Sequence, residues 1–339
     1  MNSNGRRDPV MAEVARLAGV APITVSRVIN NHPLVAVQTR VRVEKAIAEL
    51  GYRSNMAART LAGGHSRVLG VIGVETWFYA PVRTLVAIEA ACRDSGYALC
   101  FTMMRASTVD EFNQALDHLR DAHVDGVAFI APIGAASRAL DVAKPGLPMV
   151  LTSGGTAAGA SVSIDQVFGA RLATAHLLAA GHQTVHHVRG PTGWSDADAR
   201  ADGWRRELRA HKRSAPRPLV GDWSPESGYA AGQRLAKDPS VTAVFVANDQ
   251  MALGLILALR RAGRSVPGDI SVVGFDATPD SAFYDPPLTT VHQDLHEVGR
   301  RSVELLVAMI AGAEPERIRI IPTLITRSST APPPHLRLM

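Results

Sequence analysis

The 339-residue chain is predicted to fold as an all-α helix-turn-helix headpiece followed by an α/β core of two doubly wound parallel-sheet lobes. Three observations predict this. Residues 10–30 carry two short helical periods parted by a glycine. Residues 67–330 alternate short β-branched runs with amphipathic segments. The excess positive charge lies before residue 65. The length alone argues for more than one domain.

In the first stretch, apolar Val10, Met11, Val14 and Leu17 keep a helical period that Ala18-Gly19-Val20 breaks. Gly19 can take the left-handed turn that ends one helix and lets another begin. The second helix opens at Ala21-Pro22, because proline at the first helical position sacrifices no needed donor. It is predicted to bury Val25, Val28 and Ile29 and to present Pro22, Ile23, Ser26 and Arg27. A small, apolar and basic outer face on the second of two such helices suits the DNA major groove. A plain helical hairpin is the alternative.

A third helix, Gln38–Leu50, is predicted to bury Val41, Ala46, Ile47 and Leu50, with Val43 partly toward them. Arg40, Arg42 and Lys45 project outward, and Arg40 is a candidate phosphate contact. Residues 1–64 hold nine Lys/Arg against four Asp/Glu, whereas the remainder holds 27 of each. The whole net charge of +5 therefore sits where a polyanion would be bound. Asn55–Gly63 is too short and too sparsely apolar to be a stable helix alone, and Gly64-His65-Ser66 reads as a joint.

The run VARLAGVAPITVSRVIN, then Thr39-Arg40, Leu50-Gly51-Tyr52 and Asn55, resembles the headpiece of the lactose-repressor (LacI) family. The resemblance extends over nearly all of the chain. It implies DNA contacts at Pro22, Ile23, Thr24, Ser26, Arg27, Asn30, Arg40, Asn55, Ala58 and Leu61. It also implies that residues 55–66 form a hinge helix that orders on DNA, with Leu61 wedged into a base step and Ala57 and Ala58 allowing close approach. Two positions depart from the pattern. Ala21 replaces the usual Ser cap before the recognition helix, and Met56 stands where the family's namesake has Arg.

Beyond Arg67, strands are predicted at Val68–Val74, Ala98–Met103, Gly126–Ile130, Pro148–Thr152, Thr184–Val188, Ala243–Ala247 and Ser271–Phe275. Helices are predicted near 81–95, 110–122, 167–180, 197–211, 226–237, 249–262 and 295–311. Such alternation argues for parallel sheets covered on both faces. The family fold, periplasmic-binding-protein-like, implies three crossings between lobes, near Ile164–Asp165, His292–Gln293 and Ile321–Pro322. The expected domains are a headpiece at 1–54, a hinge at 55–66, a core at 67–330 and a tail at 331–339. Within the core the first lobe takes 67–165 and 295–321, and the second takes 166–292 and 322–330.

Ligands of open parallel sheets bind beyond the carboxyl ends of strands. There the sequence places Glu75–Tyr79, Ser153, a Gly-Pro loop leading to Asp196 and Arg200, Asn248-Asp249, and Asp276. Planar polar groups with aromatics suit a sugar, whose hydroxyls pair with Asn, Asp and Arg while a ring covers its C–H face. The segments GDWS (221–224), VANDQMALG (246–254) and DISVVGFD…PPLTTVHQD (269–294) also match the family. The match implies Arg200, Trp223, Asn248, Asp276 and Gln293 as sugar contacts, with Phe78 and Pro81 lining the first lobe's side. A carboxylate of the namesake is Ser153 here, and a serine of its Gly-Pro loop is Asp196, which leaves the exact sugar open. Asp276 is expected to couple sugar to DNA, with no structural partner visible in the sequence. Asp249 is expected to be only a helix cap, and Trp223 could be simple core.

Other classes fare worse. His182 follows a helix-ending glycine, and His186 and His187 point to opposite faces of a strand, so a shared metal is not expected. His296-Glu297 lacks the second histidine of a zinc protease, and no GxSxG, P-loop or GxGxxG occurs. An Asp196/Asp276 glycosidase pair is the best enzymatic alternative. A secreted sugar-binding protein is the other alternative, but Met1–Asp8 is polar and unlike a signal peptide. Cys92 and Cys100 suit a reducing cytoplasm rather than a disulfide framework. No apolar run approaches a membrane span, and the mean hydropathy is +0.05. The expectation is a cytoplasmic, sugar-responsive repressor without cofactor or enzymatic activity, binding palindromic operator DNA as a homodimer paired through its first lobes. Ala331-Pro332-Pro333-Pro334 and the five residues after it cannot form a coiled coil, so assembly is expected to stop at the dimer.

Overall fold

A computed structural model of the chain describes residues 9–29, 32–52, 65–74, 78–106, 108–130, 146–152 and 159–334. It divides into two units, residues 1–66 and 67–339. The first holds α1 (Met11–Ala18), α2 (Pro22–Ile29) and α3 (Val37–Leu50). Gly19, at φ 64°, ends α1 in the left-handed region, and Val20 N–H returns to the Ala15 carbonyl at 3.0 Å. Val14, Ala15, Ala18, Val25, Val28, Val43 and Ala46 form the core of this unit, with Ile29, Ile47 and Leu50 packed around it.

The buried stripe of α3 differs from the expectation. Val43 is fully buried, whereas Val41 is 57% exposed. Val43, Ala46, Ile47 and Leu50 stand at i, i+3, i+4 and i+7, which is one helical face. Val41 lies two residues off that stripe and so points away. Val10 and Leu17 are likewise exposed, because Ala15 and Ala18 share the buried side of α1 with Val14.

The second unit contains two six-stranded sheets. In the first the strand order is β11-β5-β4-β3-β1-β2, all parallel, built from β1 (Val68–Val74), β2 (Ala98–Met104), β3 (Gly126–Ile130), β4 (Met149–Leu151), β5 (Ala160–Ile164) and β11 (Arg317–Ile320). In the second the order is β12-β10-β9-β8-β6-β7, from β6 (His186–Arg189), β7 (Leu219–Val220), β8 (Ala243–Val246), β9 (Ser271–Asp276), β10 (Thr289–His292) and β12 (Thr323–Ile325). β12 runs antiparallel to β10, the one reversal among the described residues in an otherwise parallel design. Every residue of β1, β3, β8 and β9 is buried, as strands covered on both faces must be.

Helices supply that cover. In the first lobe α4 (Tyr79–Asp94) and α10 (Leu295–Ile310) share one core with the sheet, and α5 (Val109–Asp121) packs on the other face. In the second, α6 (Gln166–Ala179) and α7 (Ser195–Ala210) cover one face, and α8 (Pro225–Leu235) with α9 (Asp249–Arg261) the other. The chain changes lobe between β5 and α6, between β10 and α10, and between β11 and β12. Strands β5, β7, β10, β11 and β12 were not predicted. All are five residues or fewer, and β11 (RIRI) and β12 are half-exposed edges without a continuous apolar run. Among the described residues, no helix is long and apolar enough to cross a membrane.

Candidate functional site

In the headpiece, Pro22, Ile23 and Arg27 are exposed on α2, Ile23 by 61%, while Thr24 and Ser26 are half-buried. The second helix therefore offers an unfilled outer face with one cation in its last turn. Ala21 accepts from Thr24 N–H at 2.9 Å through its carbonyl, but its methyl side chain supplies no cap. Arg40, expected as a phosphate contact, is half-buried and has partners within the headpiece. Its guanidinium donates to the carbonyls of His32 (3.1 Å) and Val28 (3.5 Å), where it braces the exit of α2. Asn30, Asn55, Ala58 and Leu61, with the hinge expected at 55–66 up to Gly64, lie outside the described residues.

The second site is a cleft between the two lobes of the core, with about 680 Å³ of space that includes its opening to solvent. Phe78, Pro81, Asp196, Arg200, Trp223, Asn248, Asp276 and Gln293 all line it. Ser153 lies outside the described residues. The strand ends place these side chains. Asp276 closes β9, Asn248 follows β8, Gln293 follows β10, and Arg200 projects from the second turn of α7.

Four buried side chains form a closed polar circuit on the cavity wall. Arg200 Nε donates to Gln166 Oε1 at 2.9 Å. Gln166 Nε2 donates to Gln293 Oε1 at 2.8 Å, and Gln293 Nε2 to Asp276 Oδ1 at 2.6 Å. Arg200 Nη1 stands 3.6 Å from Asp276 Oδ1 and also donates to the Ala247 carbonyl. The guanidinium lies 3.8 Å above the Phe275 ring. Burial pushes the Asp276 carboxyl up to about 6, against the pull of Arg200. Asp276 thus has structural partners as well as a place in the cavity, contrary to the expectation from sequence.

The helix cap expected of Asp249 is supplied by Asn248, which also lines the cavity. Asn248 is the helix cap, accepting from Met251 N–H at 3.0 Å and donating to the Trp223 carbonyl at 3.1 Å. Asp249 is a buried carboxylate beneath the site, accepting from Thr278 N–H (2.8 Å) and Thr290 Oγ1 (2.6 Å). Burial, then the nearby Asp276 charge, pushes its carboxyl up to about 7. These bonds hold the turn in which Asp276 and Ala277 take positive φ of 108° and 52°. Strain of this kind is retained at ligand sites when the surroundings over-determine the backbone.

An aromatic wall completes the cavity. Phe78 meets Trp194 edge-on at 5.6 Å, and Trp194 meets Trp223 at 5.7 Å. Trp223, at φ 76°, is 5% exposed, and among the described residues its indole N–H has no hydrogen-bond partner. An unsatisfied buried donor on a cavity wall suits a ligand acceptor. Gln166 and Trp194 were missed in the sequence. Each precedes or opens a helix, a position usually read as a boundary. The strand-end rule could have flagged Trp194 in the loop after β6. The three histidines weighed as metal ligands are held apart. His182 bonds Thr242 and the Ala331 carbonyl, and His187 stacks on Phe245 at 4.7 Å with His186 on the opposite side of β6.

With this geometry in place, comparison with known proteins is direct. Residues 10–55 match the bacterial regulatory proteins of the lacI family, and residues 174–330 match the periplasmic binding protein-like domain. The chain is 34% identical to the lactose operon repressor of Escherichia coli K12, over 95% of this chain and 90% of that protein. It is 34% identical to the HTH-type transcriptional regulator CelR of Thermobifida fusca, over 93% of this chain and 96% of that protein. A crystal structure of the lac repressor dimer bound to operator and the anti-inducer ONPF superposes with a TM-score of 0.87 at 33% identity. That match covers 96% of this chain and all of that one. Two parallel-sheet lobes, a helix-turn-helix and these matches agree: the chain belongs to the LacI family of bacterial regulatory proteins.

Proposed function

We propose that this protein is a saccharide-responsive transcriptional repressor, binding operator DNA through α2 and a small saccharide between the lobes of its core. One observation carries the reading. A single chain joins a helix-turn-helix with an exposed outer face to a cavity lined by a buried Arg–Gln–Gln–Asp circuit and an aromatic wall. Arg200, Asp276, Gln293, Asn248 and Asp196 would meet hydroxyls, and Trp223, Phe78 and Pro81 would cover C–H faces. Solved relatives support the ligand class: one is a CelR–cellobiose complex, with a TM-score of 0.71 at 31% identity.

Pro22, Ile23, Thr24, Ser26 and Arg27 would read the major groove. The protein would act as a homodimer in the cytoplasm, where the DNA is. Exposed Val82, Val86, Phe101 and Met103 on α4 and the β2 edge give the first lobe an apolar face suited to pairing, and Leu253 and Leu257 do the same on α9. No catalytic role is assigned to Asp196 or Asp276. The test is fluorescence anisotropy on DNA upstream of the protein's own gene, with saccharides added. The expected result is specific binding that a saccharide weakens. Hydrolysis of nitrophenyl glycosides by the pure protein, without DNA binding, would favour the enzymatic reading.

A further inference from the structure

We propose that Gln166 is the positioning residue of the saccharide site, holding Arg200 and, through Gln293, Asp276 apart so that both stay available to a ligand. The inference rests on the saccharide reading above and deepens it. A guanidinium only donates and a carboxylate only accepts. Between them each amide must accept on one side and donate on the other, so both amide orientations are dictated. The donors run in one direction, from Arg200 to Gln166 to Gln293 to Asp276. All four residues are at least nine-tenths buried.

The separation matters for chemistry. Arg200 Nη1 and Asp276 Oδ1 are 3.6 Å apart, longer than a charge-assisted hydrogen bond. Left to themselves, a buried guanidinium and carboxylate collapse into a fork that consumes the donors and acceptors a sugar needs. The two amides take up Arg200 Nε and one lone pair of Asp276 and so keep that fork open. Gln166 opens α6 just after one crossing between lobes, and Gln293 follows β10 just before α10, at another. The amide–amide bond at 2.8 Å therefore ties two crossings together. The guanidinium is poised for a ligand only while the lobes keep this relation.

Two variants of the full chain test this, with glucose, galactose, lactose and cellobiose titrated calorimetrically. Gln166→Met keeps the shape and removes the relay. It should bind the saccharide that wild type prefers about tenfold or more weakly. A crystal structure of this variant should show Arg200 and Asp276 drawn into direct hydrogen bonding. Gln166→Glu supplies a readout that simple packing would not move. Its two carboxylate oxygens would face Arg200 and Gln293, and since the one amino group of Gln293 cannot serve both this carboxylate and Asp276, the circuit closes only after one added proton. The charged and titratable groups facing Asp276 are Arg200 and Asp196 from α7, Asp249 from α9 and Tyr79 from α4. Affinity of the variant should rise from about pH 8 to about pH 6, whereas wild type loses affinity as Asp276 takes up its proton near 6. The pH slope decides even if Gln166→Met does not fold. Wild-type-like affinity in Gln166→Met, or parallel pH profiles for wild type and Gln166→Glu, would overturn the inference while leaving the saccharide reading intact. Wild type that binds none of the four sugars would overturn both.

Discussion

Asp276 ends β9 at a φ of 108°, buried, with Arg200 beside it and Asp249 behind it. Both carboxyls hold protons more tightly in the fold than in the unfolded chain, where they titrate near 3.8. Their contribution to stability is therefore present at low pH and is lost as pH rises through about 6 for Asp276 and about 7 for Asp249. His187 acts oppositely. Burial pushes it down to about 3, so below its unfolded value of 6.5 the neutral ring disfavours the fold. Between about pH 8 and pH 6.5 the two carboxyls add about 1 kcal/mol, which His187, and His176 and His186 that burial also lowers, partly offset. Urea unfolding at the two pH values measures it. The comparison with Asp249→Asn isolates the carboxyl: the variant should lose most of that carboxyl's share of the gain, and the same pH dependence in both proteins contradicts the burial argument.

Among elements, α2 and the strand β6 with its following loop make the sharpest statements. Arg40 holds carbonyls at the exit of α2, so Arg40→Ala should loosen the headpiece and weaken all DNA binding without changing its dependence on salt. A phosphate contact would instead lower the slope against log salt by about 1. Arg27→Ala should cost about 1–3 kcal/mol on operator and much less on random DNA. In the loop after β6, a Cβ on Gly190 would overlap the Trp223 ring. Gly190→Ala should therefore displace that indole, change the intrinsic fluorescence and weaken saccharide binding by about tenfold or more. Unchanged fluorescence and affinity would show that Trp223 is simple core. These elements were legible in the sequence to different degrees. The α1–α2 turn was readable because Gly19 and Pro22 act locally, and β1, β3, β8 and β9 because strands buried on both faces are continuous apolar runs. The α3 face was misread because Val41 and Val43 are equally apolar, and only packing against α1 decides between them. Gln166 could not be read, because its meaning depends on Gln293, 127 residues away.

At the scale of the whole molecule, the claim is that one ligand in the core changes what the headpiece does. A saccharide shifts DNA binding only by its different affinity for the DNA-bound and free forms. That coupling is reciprocal, so the operator must change saccharide affinity by the same factor. The cycle has four equilibria, all measurable on the full chain: saccharide binding with and without operator, and operator binding with and without saccharide. The account predicts equal factors on the two sides of the cycle, about 5- to 150-fold, with saccharide and operator weakening each other. Saccharide affinity that is the same with and without saturating operator, alongside operator affinity untouched by saccharide, would contradict it.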